Sequence, residues 1–157
     1  VVKQQKYRRV TFVSRTDSAR APMAAEILRQ YELKQEYVVD SRGLVVLFPE
    51  PVNQKAEAIM KSARMTLGDH VSRQFDEENL QEDTLILTIE EIQKNKILSE
   101  YGAGYHVYTL NEFVGDSTEI PDPYGQPLTA YGECFEVLRG LIKKLAEKLD
   151  SFAEEEE

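Results

Sequence analysis

Residues 9–28 have the sequence RVTFVSRTDSARAPMAAEIL, in which an apolar segment, a short polar loop and a helical segment follow one another. The apolar segment 9–13 is predicted to be a β-strand. After the loop, Pro22 lies in the first predicted turn of a helix, where its missing N–H leaves no partner unsatisfied. Apolar side chains then recur at the helical interval, at Met23, Ile27, Leu28 and Tyr31. A strand, a loop and a helix in this order indicate a parallel sheet with crossover helices.

The rest of the chain repeats the alternation of β-like and helical segments. The further predicted strands are 37–41, 84–89 and 106–110, and the further predicted helices are 51–65, 90–99 and a last one on the stripe Phe135, Leu138, Ile142, Leu145 and Leu149. The apolar run TLILTI at 84–89 is typical of a strand covered on both faces. We therefore expect an α/β fold, a three-layer sandwich with a central four-stranded parallel sheet. Ligands of such sheets bind beyond the C-terminal ends of the strands.

Length and composition indicate one domain over residues 1–157, with flexible ends at 1–6 and 152–157. The net charge of −9 disfavours a nucleic-acid partner, and the chain has no apolar run long enough for a membrane partner. Cys134 is the single cysteine and the chain has two histidines, which excludes a disulfide framework and argues against a metal site. A cytoplasmic location is the expectation.

The loop 14–20 is a candidate anion site. A polar loop that leads into a helix offers backbone N–H groups and the positive end of the helix dipole. The guanidinium of Arg20 can hold two phosphate oxygens at once. A helix start with Arg20 in solvent is the structural alternative.

The stretch FVSRTDSARAPMAAEIL resembles the phosphate-binding loop of low-molecular-weight protein tyrosine phosphatases, whose pattern is Val-Cys, five residues, then Arg-Ser-Pro. Five residues separate Ser14 from Arg20, so the spacing is kept. Related segments follow in the same order, at 41–43, 50–59, 70–75, 83–88, 107–116 and, as IPDPYG, at 120–125. The resemblance covers nearly the whole chain. It implies the phosphatase I-like fold and hydrolysis of phosphomonoesters through a cysteinyl-phosphate, without a cofactor.

The resemblance also implies a role for individual residues. Arg20 would clamp the phosphoryl oxygens, and Asp122 would be the general acid; a turn residue before Pro123 is the structural alternative for Asp122. The expected phosphate-binding residues are Ser14, Arg15, Thr16, Asp17, Ser18, Ala19 and Arg20, the expected loop supports are Ser41 and His70, and the expected residues at the substrate mouth are Tyr124 and Leu47. Leu47 and its neighbour Phe48 form either an apolar wall of the cleft or a buried loop anchor.

The main departure from the family is Ser14, which stands where the nucleophilic cysteine is required. A serine hydroxyl needs a general base to attack phosphorus, so we expect phosphate binding with weak or absent turnover. The serine is either a substitution that traps a ligand or a natural loss of the nucleophile. Ala19, Ala21 and the pair Thr16-Asp17 also differ from the family, and these differences favour the natural loss.

Several functions remain open at this stage. The expected partners are a phosphorylated protein or small phosphomonoester, and inorganic phosphate or a similar oxyanion. The small hydroxyl of Ser18 leaves phosphoarginine possible beside phosphotyrosine, because the branch of the family that acts on phosphoarginine carries threonine there. A pseudophosphatase that binds phosphate or phosphoproteins is the alternative to an enzyme. An arsenate reductase of related fold would need further cysteines, and only Cys134 is present.

Overall fold

The computed structural model describes residues 5–156. Its strands are β1 (Arg9–Ser14), β2 (Val38–Gly43), β3 (Thr84–Thr88) and β4 (His106–Thr109). Its helices are α1 (Arg20–Arg29), α2 (Gln54–Ser62), α3 (Glu91–Tyr101), α4 (Leu110–Val114) and α5 (Leu128–Glu156), and a single 3₁₀ turn spans Glu77–Asn79.

The four strands form one parallel sheet in the order β2-β1-β3-β4. β1 lies in the middle and pairs with β2 on one side and with β3 on the other. Val13 is opposite Arg42 of β2 and Thr88 of β3 in the register. The carboxyl ends of β1, β2 and β3 therefore lie side by side at one edge of the sheet.

Helices cover both faces of the sheet, which confirms the three-layer sandwich. The larger core packs α1, α2, α4 and α5 against strand residues that include Val10, Phe12, Leu85 and Leu87. The smaller core packs α3 and the segment 75–80 against Val13, Ile86 and Val107. Successive residues of a strand point to opposite faces, so the continuous apolar run in β3 supplies both cores.

One sequence prediction needs correction. Residues 110–114 form the short helix α4, although residue 110 was assigned to a strand; the Thr109 hydroxyl accepts a hydrogen bond from the Glu112 N–H, which caps this helix. Helix α5 includes residues 152–156, where a flexible end is predicted, and the ring of Phe152 packs edge-on against Tyr7 and Phe113. Residues 1–4 and 157 of the predicted ends lie outside the described residues. Within 5–156, no helix is both long and apolar enough to cross a bilayer.

Candidate active site

The loop 14–20 lies at the carboxyl end of β1, at the switch point of the sheet, where the helices that follow β1 and its neighbour β3 lie on opposite faces. α1 leaves β1 toward one face of the sheet, while α3 leaves the neighbouring strand β3 toward the other face. A crevice opens between the two strands at such a point, and in open α/β sheets this is where ligands bind. Ala19, which precedes α1, has no side-chain group that could cap the helix. The backbone N–H groups in the first turn of α1 are therefore oriented toward the loop, and no capping side chain accepts their hydrogen bonds.

A cavity of about 160 Å³ opens over this loop. Its lining residues are Ser14, Arg15, Thr16, Ser18, Ala19, Arg20, Asn53, Asp122, Pro123, Tyr124 and Tyr131. Pockets for organic ligands of drug size usually measure about 300–1,000 Å³, so this cavity suits a small anionic group rather than a large cofactor.

The Arg20 side chain is buried and firmly held beneath this cavity. Its Nη2 donates to Oε1 of Glu90 at 2.7 Å, and its Nη1 donates to the backbone carbonyl of Ile120 at 3.4 Å. Glu90 follows β3 and accepts a second hydrogen bond from Gln93 at 2.9 Å, which fixes its carboxylate. The guanidinium is thus oriented before any ligand arrives, which contradicts the alternative of an arginine in solvent.

Asp122 reaches the same cavity from the segment that precedes α5. Its Oδ2 lies 3.9 Å from Nη2 of Arg20, and its Oδ1 accepts a hydrogen bond from the Tyr124 N–H at 3.2 Å. The side chain is 60% exposed, so the carboxyl group has access to solvent and to an entering molecule. Arg20 and Asp122 are 102 positions apart in the chain by their residue numbers, and the fold brings them to one cavity.

Ser14 is buried at the end of β1, and its Oγ accepts a hydrogen bond from the Asp17 N–H at 3.2 Å. Cys134, which packs behind the site on α5, cannot replace it as a nucleophile. Burial raises the pKa of the Cys134 thiol to about 12, although the nearby Arg20 charge opposes the shift. The thiol therefore stays protonated at neutral pH, and a protonated thiol is a poor nucleophile.

The predicted supports Ser41 and His70 lie behind the loop, around Asp17. His70 Nε2 donates to the Asp17 backbone carbonyl at 2.7 Å, while Oδ1 of the Asp17 carboxyl lies 3.6 Å from the same nitrogen. Oδ2 accepts from the Arg73 N–H at 3.0 Å. His70 therefore supports the loop chiefly through the backbone of Asp17. Its carboxyl is completely buried and does not line the cavity.

The remaining loop residues are held by hydrogen bonds within the loop and from neighbouring segments. The Thr16 and Ser18 hydroxyls are 2.8 Å apart and hydrogen-bonded, and the Asn53 N–H donates to the Ser18 carbonyl at 2.8 Å. The Arg15 carbonyl accepts from the Val45 N–H at 2.8 Å. Hydrogen bonds of this kind hold the loop in one conformation, as a preformed anion site requires.

The two predicted mouth residues differ in position. Tyr124 is 80% exposed and lines the cavity, as a mouth residue should. Leu47 is 82% exposed and is not among the lining residues, so its contact with a substrate stays a prediction. Its neighbour Phe48 is also exposed, and the alternative of a buried loop anchor is therefore wrong.

Sequence reasoning missed four residues of the site. Glu90 was assigned only to a helix, although its place directly after a parallel strand was a usable signal. Asn53 caps α2 and Tyr131 lies on α5, and no local pattern distinguishes either from an ordinary structural residue. The sequence indicates Gly43 only as part of the family-like segment 41–43. A Cβ there would lie 2.7 Å from the backbone carbon of Thr16.

Comparison with known proteins places these features in a family. The family model of low molecular weight phosphotyrosine protein phosphatase matches residues 9–155. The low molecular weight protein-tyrosine-phosphatase PtpB of Staphylococcus haemolyticus is 32% identical over 137 residues, which are 87% of this chain and 96% of that protein.

Two solved structures of arginine phosphatases are similar as well. YwlE from Geobacillus stearothermophilus has a TM-score of 0.83 and 30% identity, over 91% of this chain and 93% of that one. A cysteine-to-serine mutant of YwlE with a phosphorylated active-site serine has a TM-score of 0.81 and 28% identity, over 90% and 95% of the two chains.

Proposed function

The chain belongs to the low molecular weight protein tyrosine phosphatase family, a family of phosphoric monoester hydrolases, and from this premise we propose that residues 14–20 bind the phosphoryl group of a phosphorylated substrate. The observation that carries the proposal is the meeting of Arg20 and Asp122 at one small cavity, with Nη2 and Oδ2 3.9 Å apart. A fixed cation and an accessible carboxyl group are two of the parts that transfer of a phosphoryl group uses, beside the nucleophile.

Each part has a distinct task in the proposed reaction. The guanidinium of Arg20 donates two parallel hydrogen bonds to phosphoryl oxygens, and the N–H groups of the loop and of the first turn of α1 bind the others. Asp122 donates a proton to the leaving oxygen. Ser41 and His70 hold the loop, and Tyr124 and Leu47 contact the substrate at the mouth.

Ser14 makes the first chemical step slow, because its hydroxyl stays protonated at neutral pH. When the attack occurs, a bond forms between Oγ and phosphorus while the bond from phosphorus to the leaving oxygen breaks. Asp122 gives its proton to that leaving oxygen, and the Ser14 proton passes to a non-bridging phosphoryl oxygen. The product is a phosphoserine, which is hydrolysed slowly because an alkoxide is a poorer leaving group than a thiolate.

The phosphorylated serine in the YwlE mutant supports this outcome for a serine in the corresponding loop. We therefore propose a phosphoryl-binding protein with weak or absent turnover, and a natural origin of Ser14. Phosphorylated proteins and inorganic phosphate are its proposed ligands, and a cytoplasmic location is proposed because a single buried thiol is ordinary in a reducing compartment.

Restoring the nucleophile tests the proposal. We expect no or trace hydrolysis of an aryl phosphate by the chain itself, and clear turnover by Ser14→Cys. Adding Asp122→Asn to Ser14→Cys should lower kcat roughly 10²–10⁴-fold, the usual contribution of general acid catalysis.

Asp83→Asn is the matched control, since Asp83 is half exposed just before β3, at the opposite end of the strand from the site. Intact-mass spectrometry of the unmodified chain after incubation with the aryl phosphate should show one added phosphoryl group, which Ser14→Ala abolishes. A Ser14→Cys variant that binds phosphate but never turns over would favour a pure binding module. Absence of phosphate binding in every variant contradicts the proposal.

Phosphoarginine is a second candidate substrate class, favoured by the hydroxyl of Ser18 and by the similarity to YwlE arginine phosphatase. Ser14→Cys should then hydrolyse phosphoarginine peptides faster than phosphotyrosine peptides. Adding Ser18→Ile should reverse that order, because a bulky apolar group narrows the cavity. Equal rates on both peptides, unchanged by Ser18→Ile, would contradict this choice of substrate.

A further inference from the structure

Asp17 is an anionic side chain inside the loop that is proposed to bind a dianion. It is completely buried, and it adopts a positive φ of 56°, which asparagine and aspartate tolerate better than most residues. Its N–H donates to Oγ of Ser14, so a change in its position moves the residue at the nucleophile position directly. Nothing in the proposed chemistry uses its carboxyl group.

One oxygen of this carboxyl group is unsatisfied. Oδ2 accepts from the Arg73 N–H, but Oδ1 is buried and has no hydrogen-bond partner of normal geometry among the described residues. A buried polar atom without a partner is rare and costly, and a charged one more so. A proton on the carboxyl group removes the buried charge, and with it the larger part of that cost.

The charged and titratable groups around Asp17 come from three segments. β2 contributes the Ser41 hydroxyl and the Arg42 guanidinium, and the segment 70–73 contributes His70 and the Arg73 N–H. Asp122 faces the loop from across the cavity. Burial raises the pKa of Asp17, and this effect outweighs the opposing effects of Ser41, Arg73, His70 and Arg42.

We propose that Asp17 is a positioning residue that couples oxyanion binding to protonation: the loop holds a dianion with the Asp17 carboxyl protonated. The inference rests on the proposed function. A dianion in the loop repels an ionised Asp17, so binding favours the neutral carboxyl group and takes up a proton wherever the free protein is ionised. Affinity for the dianion then falls with rising pH.

Sulfate is the appropriate probe, because it stays a dianion over the whole range from pH 5 to 8, unlike phosphate. Calorimetric titration in buffers of different ionisation enthalpy measures the number of protons taken up per sulfate bound. For the unmodified chain we expect an uptake that approaches one, and an affinity that falls by up to tenfold per pH unit. For Asp17→Asn we expect an uptake close to zero and a nearly flat affinity.

Two further variants separate Asp17 from the other titrating groups. In His70→Gln and in Asp122→Asn, proton uptake per sulfate bound should persist even where the substitution changes the sulfate affinity. Uptake that persists in Asp17→Asn and disappears in either of these variants assigns the proton to another residue and overturns the inference.

A measurement without any ligand distinguishes failure of the inference from failure of the proposed function. The ¹³C chemical shift of the Asp17 carboxyl group, followed by NMR against pH, should titrate above the ordinary range for aspartate. An ordinary titration, together with a sulfate affinity that is the same for the unmodified chain and for Asp17→Asn at every pH, overturns the inference while sulfate binding by the loop still stands. If neither form binds sulfate at any pH, the proposed function fails and the coupling fails with it.

Discussion

Arg20 shows how one residue can be both buried and charged. Its guanidinium donates hydrogen bonds to the Glu90 carboxylate and to the Ile120 carbonyl, and its Nη2 lies 3.9 Å from Oδ2 of Asp122. These contacts compensate the cost of removing the charge from water and fix the plane of the group. A lysine would keep the charge but not the planar arrangement of donors.

Arg20→Lys should therefore weaken phosphate binding roughly 10- to 100-fold, since one lost charge-assisted hydrogen bond is worth about 1.5–3 kcal/mol. Isothermal titration with phosphate measures the loss. Arg139→Lys, on the exposed side of α5, is the control and should bind like the unmodified chain. Equal affinity of the Arg20 and Arg139 variants would contradict the proposed clamp.

Asp17→Asn should raise the free energy of unfolding at pH 7 by about 1–3 kcal/mol, because it removes the charge from a buried side chain in which one oxygen lacks a hydrogen bond. The pKa of Asp17 is raised by burial, so its stabilising contribution is complete below the ordinary carboxyl pKa and is lost as pH rises through the raised value. The increase in the free energy of unfolding caused by Asp17→Asn should therefore become smaller toward pH 4. Urea unfolding at both pH values measures it, with the exposed Asp69→Asn as control. The same gain at both pH values would show that the cause is not ionisation.

At the scale of elements, the close approach of β2 to the loop depends on Gly43. A Cβ at this position would lie 2.7 Å from the backbone carbon of Thr16 and 2.9 Å from the backbone nitrogen of Asp17. Backbone atoms cannot move aside as a flexible side chain does. The end of β2 therefore determines how closely the loop 14–20 packs against the sheet.

Gly43→Ala should destabilise the chain by about 1–3 kcal/mol, as overpacking commonly does, and should also weaken phosphate binding. Gly140→Ala on α5 is the matched control, because a Cβ there meets no atom within 4 Å. That control should raise stability by about 0.5–1 kcal/mol through helix propensity and leave binding unchanged. Thermal unfolding and phosphate titration of both variants test this, and intact binding in Gly43→Ala would contradict it.

The strands were predictable from short apolar runs, and the long helices from apolar side chains at the helical interval. β1, β3 and β4 begin at the predicted residues and β2 begins one residue later. Helix ends were less predictable. α5 begins seven residues before Phe135, the first residue of the predicted stripe, and the buried Tyr131 and Cys134 extend the apolar face of the helix through these first turns.

The candidate site was predictable only in part. Arg20 and Asp122 were found through sequence motifs, and the fold brings both to one cavity. Asn53 and Tyr131 were missed because their importance arises from tertiary contacts between elements, which a single sequence does not contain. Glu90 has a signal in the sequence, its position directly after a parallel strand, and its contact with Arg20 gives that signal its meaning.

At the scale of the whole molecule, the site joins both halves of the chain. The loop after β1 and the segment before α5 meet at the same cavity, and the cap of α3 holds Arg20 through an ion pair. α5 packs on α1 and α2. A ligand held by all of these parts binds only the folded state. Binding must then stabilise the entire domain rather than one segment.

Unfolding should therefore be a single transition whose midpoint rises with phosphate. At 100 times the dissociation constant, the gain is about 2.7 kcal/mol, or roughly 5–10 °C for a domain of this size. Calorimetry in phosphate and in chloride of equal ionic strength measures the shift, and Arg20→Lys should reduce it. Identical midpoints in the two salts would contradict the prediction.

The most direct test of the central claim is a crystal structure of the unmodified chain grown with phosphate. We expect tetrahedral density within hydrogen-bond distance of the N–H groups of residues 15–20 and of the Arg20 guanidinium, with the Asp122 carboxyl group on the opposite side of the ion. An empty loop in crystals that bind phosphate elsewhere, or Arg20 and Asp122 directed into different regions, would contradict the account.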